Sequence, residues 1–370
     1  MNEYVLYKNF ISEIHLYPGR QTVKKTGIVR DRRYLDHFMG HYHPESPRRL
    51  EAIYEMLNGP DMKGSFKDIP AKKAEREDLL LIHSPDYVNM LEATDGVDST
   101  YLDPDTQTSP GSYKAALLAA GGLCEAISMV NSGEIQNAFA LVRPPGHHAE
   151  KDRAMGFCLF NNIAIGAKYA QKHLGIKRIL IADWDLHHGN GTQHSFEDDP
   201  SVLYFSTHQY PYYPGTGANG EVGTGKGEGF TINVPLSPGY GDSEYIAIYN
   251  SILNSVALEF NPEIILLSAG FDTYKGDPLG GMNITSQGFA GLIRSIMEIA
   301  DACCAGKVVI TLEGGYHIQG QTDSVKAILM ELSGMANTDY NILLSGADKD
   351  LLRNALVPVK EIHQQYWNSL

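Results

Sequence analysis

Residues 178–191 read RILIADWDLHHGNG. The first part is an apolar run behind a single arginine. The second packs two aspartates and two adjacent histidines into a few positions. A continuous apolar run of this length fits a strand buried on both faces, the pattern of a parallel sheet. Ionisable residues directly after such a strand put polar chemistry at its carboxyl end, which is where open α/β sheets bind ligands.

Four more runs repeat the pattern: AFALV (138–142), VLYFST (202–207), EIILLSAG (263–270) and KVVITLEG (307–314). RPPGHHAE follows the first of them and HQYPYYPGTG the second, and the other two end in AGFD and EGGY. Helical periodicity lies between several runs, at 112–131, 161–173, 244–260 and 286–304. Strand–helix alternation predicts an α/β fold. The expectation is a single domain with a central, mostly parallel sheet, helices on both faces and the active site at the carboxyl ends of the strands. Within 1–370, residues 1–42 read as an N-terminal segment and loop insertion, 43–330 as the catalytic core and 331–370 as a C-terminal extension. Residues 1–60, rich in Tyr, His and Arg, read as irregular.

The net charge of −14, with no Lys/Arg-rich stripe, argues against binding duplex phosphates. An acidic surface suits a basic substrate. No apolar stretch approaches about 18 residues, so no membrane span is expected. Glu3 and Lys8 interrupt the first twenty residues, which therefore do not read as a signal peptide. Cys124, Cys158, Cys303 and Cys304 form no CxxC pair and read as reduced thiols of a cytoplasmic protein.

In an extended segment, residues i, i+2 and i+4 face the same way. Asp183, Asp185 and His187 have that spacing. Asp185 and His187 are candidates to grip one ion with Asp183 behind them, and Asp272, at the end of SAGFD, is the best candidate for a third ligand. Three protein ligands and an open position make a catalytic rather than a structural site. This donor set suits Zn²⁺, Fe²⁺ or Mn²⁺. Pro144, Pro145 and Gly146 form a rigid turn that aims His147 and His148, candidate bases for a water beside the metal. Tyr316, behind two glycines, is placed to donate to a developing oxyanion.

These stretches, together with HPESPRRL (43–50), LDPDTQTSPGSYKAALLAAGG (102–122), GFCLFNN and GDPLGG, resemble the zinc-dependent histone deacetylase superfamily from about residue 40 to about 330. That superfamily includes bacterial histone-deacetylase-like amidohydrolases and acetylpolyamine amidohydrolases. Asn rather than Asp at 190 is similar to the class II branch. The resemblance implies that Asp185, His187 and Asp272 hold zinc. It makes His147 an inner histidine paired with Asp183, and His148 an outer histidine that is general base and then acid, partnered by Asn190. Tyr316 matches the transition-state tyrosine. Gly156, Phe157 and Tyr213 match the walls of a narrow acyl-lysine channel, with Tyr213 in place of the more usual Phe. Asp105 matches a rim aspartate that holds substrate backbone amides. Leu279 stands at the channel mouth where class II-like polyamine-selective relatives carry glutamate, and Arg49 lies near an internal acetate cavity. A structural K⁺ or Na⁺ is implied at Asp183, Asp185, His187, Ser206 and Thr207.

The expected activity is hydrolysis of N-acetyl-lysine, or a similar acylated amine, to free amine and acetate. Its substrate partner is an acetylated peptide, protein or small amine, with neither nucleic acid nor membrane involved; a homo-oligomer is compatible. Two alternatives stand beside this reading: an acetylpolyamine deacetylase, which the 20–42 segment would favour if it is a selectivity loop, and a non-catalytic acyl-lysine binding module. Arginase-like binuclear chemistry needs bridging ligands that HHGNG does not supply.

Overall fold

The computed structural model describes residues 25–370. Its strands are β1 (Thr26–Val29), β2 (Lys67–Ile69), β3 (Thr100–Tyr101), β4 (Gln107–Thr108), β5 (Asn137–Ala140), β6 (Ile179–Asp183), β7 (Val202–Gln209), β8 (Thr231–Leu236), β9 (Ile264–Ala269) and β10 (Val308–Leu312). Eight of them form one sheet in the order β2-β1-β5-β10-β9-β6-β7-β8, with every pairing parallel. β3 and β4 form a separate antiparallel pair. The five runs legible in the sequence are the five contiguous central strands. All five residues of β6 and all six of β9 are buried, as apolar residues on both faces require.

The register aligns the chemistry. Asp183, the last residue of β6, lies opposite Ser206 of β7 and Ser268 of β9, and Ser268 lies opposite Thr311 of β10. The segments after these strands therefore leave the sheet side by side. Helices pack on the sheet and have local signals for their ends. Asn161 caps the helix Asn162–Leu174 through the Ala164 amide, and Gly175 ends it in the left-handed conformation. Thr285 caps Ser286–Cys303, and His317 caps Ile318–Ser333 by accepting from the Gly320 amide. The helix Ser112–Asn131 has the length and apolarity to cross a membrane, but most of it is buried inside the domain.

Two expectations are corrected. Residues 1–60 are not irregular throughout: β1 is an interior strand of the sheet, Arg48–Leu57 is a helix, and only a short 3-10 turn (Arg32–Asp36) follows β1. Thr26–Val29 is thus part of the sheet, residues 37–42 run without regular structure and leave Tyr42 exposed, and the rest of the expected N-terminal segment lies outside the described residues. The helix expected at 244–260 contains a π-helical turn, Tyr249–Leu253, between Asp242–Ile248 and Asn254–Phe260. The C-terminal residues pack back onto the sheet. The helix Lys349–His363 packs along β8, and the buried Trp367 stacks edge-on against Phe230 and donates from Nε1 to the Gly229 carbonyl at 2.9 Å.

Candidate active site

Asp185, His187 and Asp272 converge, and their ligating atoms lie within 4.8 Å of one another. His187 Nδ1 is 3.2 Å from Asp185 Oδ1 and 3.2 Å from Asp272 Oδ2. The remaining carboxylate oxygens are anchored by backbone. Asp272 Oδ1 accepts from the Leu186 amide at 2.9 Å, and Asp185 Oδ2 accepts from the Gly314 amide at 2.9 Å. Asp272 Oδ2 is buried and is not aligned for a hydrogen bond with any described residue. Two glycines make room for this cluster. A Cβ at Gly270 would sit 2.0 Å from Asp185 Oδ2, and one at Gly314 would sit 2.3 Å from Asp272 Oδ2.

The charge balance points the same way. Burial and the neighbouring Asp185 carboxylate push Asp272 up to about 7. Burial alone would lower His187, but the adjacent Asp185 and Asp272 carboxylates outweigh that and raise it to about 9. Two buried carboxylates without enough positive charge, one with an orphaned oxygen, fit a divalent cation held by two oxygens and one nitrogen.

The two histidines of RPPGHHAE stand beside this cluster with their rings 4.0 Å apart. His147 Nδ1 is 3.0 Å from Asp183 Oδ2, and its Nε2 is 3.7 Å from Asp185 Oδ1. Burial alone would lower His147, but the Asp185 and Asp183 carboxylates outweigh it and raise it to about 10. His148 Nδ1 meets the neutral Asn190 at Oδ1, 2.8 Å away. Burial, then the charges of His147 and His187, push His148 well below the usual imidazole range. Adjacent residues of one type thus hold opposite protonation states, as an acid–base pair requires.

Glu313 supports the turn that carries both histidines. Its Oε2 accepts from the Gly146 amide at 2.7 Å and the His147 amide at 3.2 Å, and its Oε1 accepts from Ser268 Oγ at 3.0 Å. Tyr316 is fixed from two sides. Asp277 Oδ2 accepts from the Tyr316 amide at 2.7 Å and the His317 amide at 2.9 Å. Arg49 donates to the carbonyls of Gly315 at 2.7 Å and Glu313 at 2.5 Å, with its guanidinium 5.1 Å from the Tyr316 ring centre. Arg49 therefore stands behind the pocket wall and holds EGGY in place. It is anchored in turn by the buried Glu45, which also pairs with Arg143.

A cavity of about 80 Å³ connects these groups to the surface, lined by His147, His148, Asp185, His187 and Tyr316 at its base. Phe157 and Tyr213 form its walls, and Asp105 and Leu279 also line it. Gly156 adopts φ +57°, and a Cβ there would lie 2.3 Å from His148 Cδ2, so only glycine lets this wall approach the base. Phe157 also has positive φ (70°) and is held by its amide donating to Thr106 Oγ1 at 2.9 Å. Asp105 Oδ1 accepts from the Gly156 amide at 3.2 Å, so this rim carboxylate also braces the wall. Tyr213 places its ring against His148 and His187, with centres 5.2 and 5.9 Å away, and its buried hydroxyl has no partner among the described residues. The Leu279 carbonyl accepts from the Tyr212 hydroxyl at 2.9 Å, which ties the GDPLGG loop to the wall. Ser206 and Thr207 lie within the second half of β7, with Ser206 opposite Asp183 in the register and Ser206 Oγ 2.9 Å from His208 Nδ1.

Of the residues expected from the sequence, His147, His148, Asp185, His187, Tyr316, Asp105, Gly156, Phe157, Tyr213 and Leu279 line one pocket, and Asp272, Asp183, Asn190 and Arg49 contact that lining. Sequence reasoning missed Glu313, Asp277, Glu45, Arg143 and Glu150. Glu313 and Asp277 sit inside the motifs EGGY and GDPLGG, and the register of those motifs was the signal available.

The histone deacetylase domain family matches residues 43–332. A probable deacetylase of Archaeoglobus fulgidus is 40% identical over 357 residues, covering 92% of this chain and 98% of that protein. Histone deacetylase 5 of Arabidopsis thaliana is 42% identical over 328 residues, with 84% of this chain and 49% of the relative covered. Histone deacetylase 9 of Homo sapiens is 40% identical over 357 residues, with 86% and 34% covered. The chain thus spans nearly all of the archaeal relative, but half or less of these plant and human proteins. Among solved structures, the HDA15 HD domain superposes with a TM-score of 0.86 at 38% identity, over 94% of this chain and 96% of that one.

Proposed function

This chain belongs to the histone deacetylase family, and we propose that it deacetylates N-acetyl-lysine in peptides or proteins, with zinc held by Asp185, His187 and Asp272. The observation that carries this reading is the narrow pocket with the three-residue cation cradle, a histidine pair of which one member is cationic and the other neutral, and a tyrosine at one end. When bound, a divalent cation supplies Lewis acidity, polarising a carbonyl oxygen and acidifying water.

The chain's own residues supply the rest. His148 has Nδ1 committed to Asn190, which leaves Nε2 to take a proton from the attacking water. As the carbonyl carbon becomes tetrahedral, Tyr316 donates its hydroxyl hydrogen bond to the developing oxyanion. His148 then returns the proton to the departing lysine amine as the C–N bond breaks, giving acetate and free amine. His147 keeps its proton throughout, because Asp183 and Asp185 hold it there. Phe157 and Tyr213 flank the methylenes and exclude water. A potassium or sodium ion among Asp183, Asp185, His187, Ser206 and Thr207 belongs to the same reading, as structural support for the metal ligands.

Two predictions arise here. The base works only when neutral, so the rate falls as pH drops through the His148 value. That value is lowered, so the acid limb of kcat/KM is expected below the ordinary imidazole value of 6.5. Asn190→Asp puts an anion against Nδ1, raises His148 and is expected to move this limb upward by about 1–3 pH units. A pH profile of both proteins checks the direction; a limb unmoved in the variant would remove His148 from that role.

The second concerns substrate choice. Leu279 offers no charge to a distant substrate ammonium, so acetyl-lysine peptides are expected to exceed acetylspermidine in kcat/KM. Leu279→Glu is expected to shift the ratio toward the polyamine by about tenfold, the worth of one partly exposed ion pair of roughly 1 kcal/mol together with lost apolar contact. Wild-type preference for acetylspermidine, or an unchanged ratio in the variant, would contradict this assignment. A panel of acetyl-lysine peptide, longer acyl-lysine peptides, acetylputrescine and acetylspermidine measures it directly.

A further inference from the structure

The outer histidine depends on an amide that can sit either way round. Asn190 presents Oδ1 to His148 Nδ1 at 2.8 Å, which requires a proton on Nδ1 and leaves Nε2 free as the base. Turned by 180°, the same side chain would offer its NH₂ to Nδ1. That arrangement favours the tautomer with the proton on Nε2, which cannot accept one from water. An aspartate at this position would need no such choice, since both of its oxygens accept.

Glu150, the last residue of RPPGHHAE, makes the choice. Asn190 Nδ2 donates to Glu150 Oε1 at 2.5 Å and to the His148 carbonyl at 3.3 Å, with Met155 Sδ at 3.5 Å. A carboxylate and a carbonyl only accept, so reversing the amide would set its oxygen against two other oxygens. Burial alone would raise the Glu150 carboxyl, but its hydrogen bonds with His194 and Asn190 outweigh that and keep it below its ordinary value, hence ionised. Glu150 is itself held rigidly. His194 Nδ1 lies 2.9 and 3.1 Å from its two oxygens. Its amide donates to the Arg153 carbonyl at 2.9 Å, and its carbonyl lies 2.9 Å from His83 Nδ1.

We propose that Glu150 is a positioning residue which locks the Asn190 amide and thereby fixes His148 in the tautomer that can act as base. This rests on the deacetylase reading above. Glu150 touches neither substrate nor the metal cradle and acts through Asn190 alone.

The test is a double-mutant cycle on the zinc-loaded enzyme with an acetyl-lysine peptide, with ¹⁵N imidazole spectra of the same proteins. Glu150→Ala is expected to lower kcat about tenfold, the usual scale for losing a group that orients a ligand or base, with KM little changed. Glu150→Gln keeps an acceptor oxygen and is expected to recover most of that loss. In an Asn190→Asp background the lock is unnecessary and the Glu150 anion faces a second anion, so Glu150→Ala there is expected to cost nothing or to raise kcat. In the spectra, His148 is expected to carry its proton on Nδ1 in the wild type and to gain the Nε2-protonated form in Glu150→Ala. Equal fractional losses in the wild-type and Asn190→Asp backgrounds, an unchanged kcat in Glu150→Ala, or an unchanged tautomer would each overturn the proposal. Failure of the wild type to release acetate from any acetylated amine would instead overturn the deacetylase reading. The tautomer spectra of the resting protein would still decide the lock.

Discussion

Asp272→Ala is expected to abolish stoichiometric metal binding and activity together, with Asp185→Ala and His187→Ala doing the same. Each removes one of the three side chains that, among the described residues, bring their ligating atoms together in the cradle. Asp272 is the most telling of the three. Its Oδ1 has a structural task, the Leu186 amide, while its buried Oδ2 is left without a hydrogen bond. Asp272→Asn, which keeps the shape and an acceptor for Leu186 but removes the charge, is therefore expected to fold and to lose the metal. Elemental analysis of the purified variants checks this. Full metal occupancy in Asp272→Ala would overturn the ligand assignment.

Tyr316→Phe is expected to keep the fold and the metal while lowering kcat by about 10²–10³, the usual cost of one oxyanion donor, equivalent to about 2.7–4 kcal/mol. The hydroxyl takes no hydrogen bond from a described residue, so its removal disturbs no packing. Backbone contacts to Asp277 and Arg49 hold the residue regardless of its tip. His148→Ala is expected to be at least as damaging, because one residue handles the proton in both directions. Steady-state kinetics with an acetyl-lysine peptide decide both. An undiminished kcat in Tyr316→Phe removes the oxyanion role, and substantial turnover in His148→Ala moves the base to His147.

The centre of the sheet was legible in the sequence because β5, β6, β7, β9 and β10 are buried on both faces, and such strands must be apolar without interruption. The strands that escaped notice lie toward the edges. TGIV (β1) and KDI (β2) are too short and polar to stand out, and TINVPL (β8) carries a proline, which an edge strand tolerates. The C-terminal residues gave no sign of their role because Gly229 and Phe230, against which the Trp367 side chain packs, are more than a hundred residues away.

The candidate site divides in the same way. Asp185, His187, His147, His148 and Tyr316 could be read because each follows a strand within a few residues, flanked by glycine or proline. Their supports could not, because they act across long separations. Glu45 pairs with Arg143 across 98 positions, and Glu313 reaches the Gly146 amide across 167. Nothing local marks Glu45 as such a carboxylate, and for Glu313 only its place in EGGY directly after β10 gave a signal. Asn190 stands between these cases: its position beside His148 was legible, but the dependence of its orientation on Glu150 required the geometry.

Acetate release from an acetyl-lysine peptide by one protein preparation in three states tests the central claim most directly. The states are as loaded with zinc, after chelation, and after zinc is restored. Turnover is expected in the first, its loss in the second and its recovery in the third, with metal content following one ion per chain. Full turnover by the chelated protein with no metal remaining, or none by the zinc-loaded protein, would contradict a metal-dependent acetyl-lysine deacetylase.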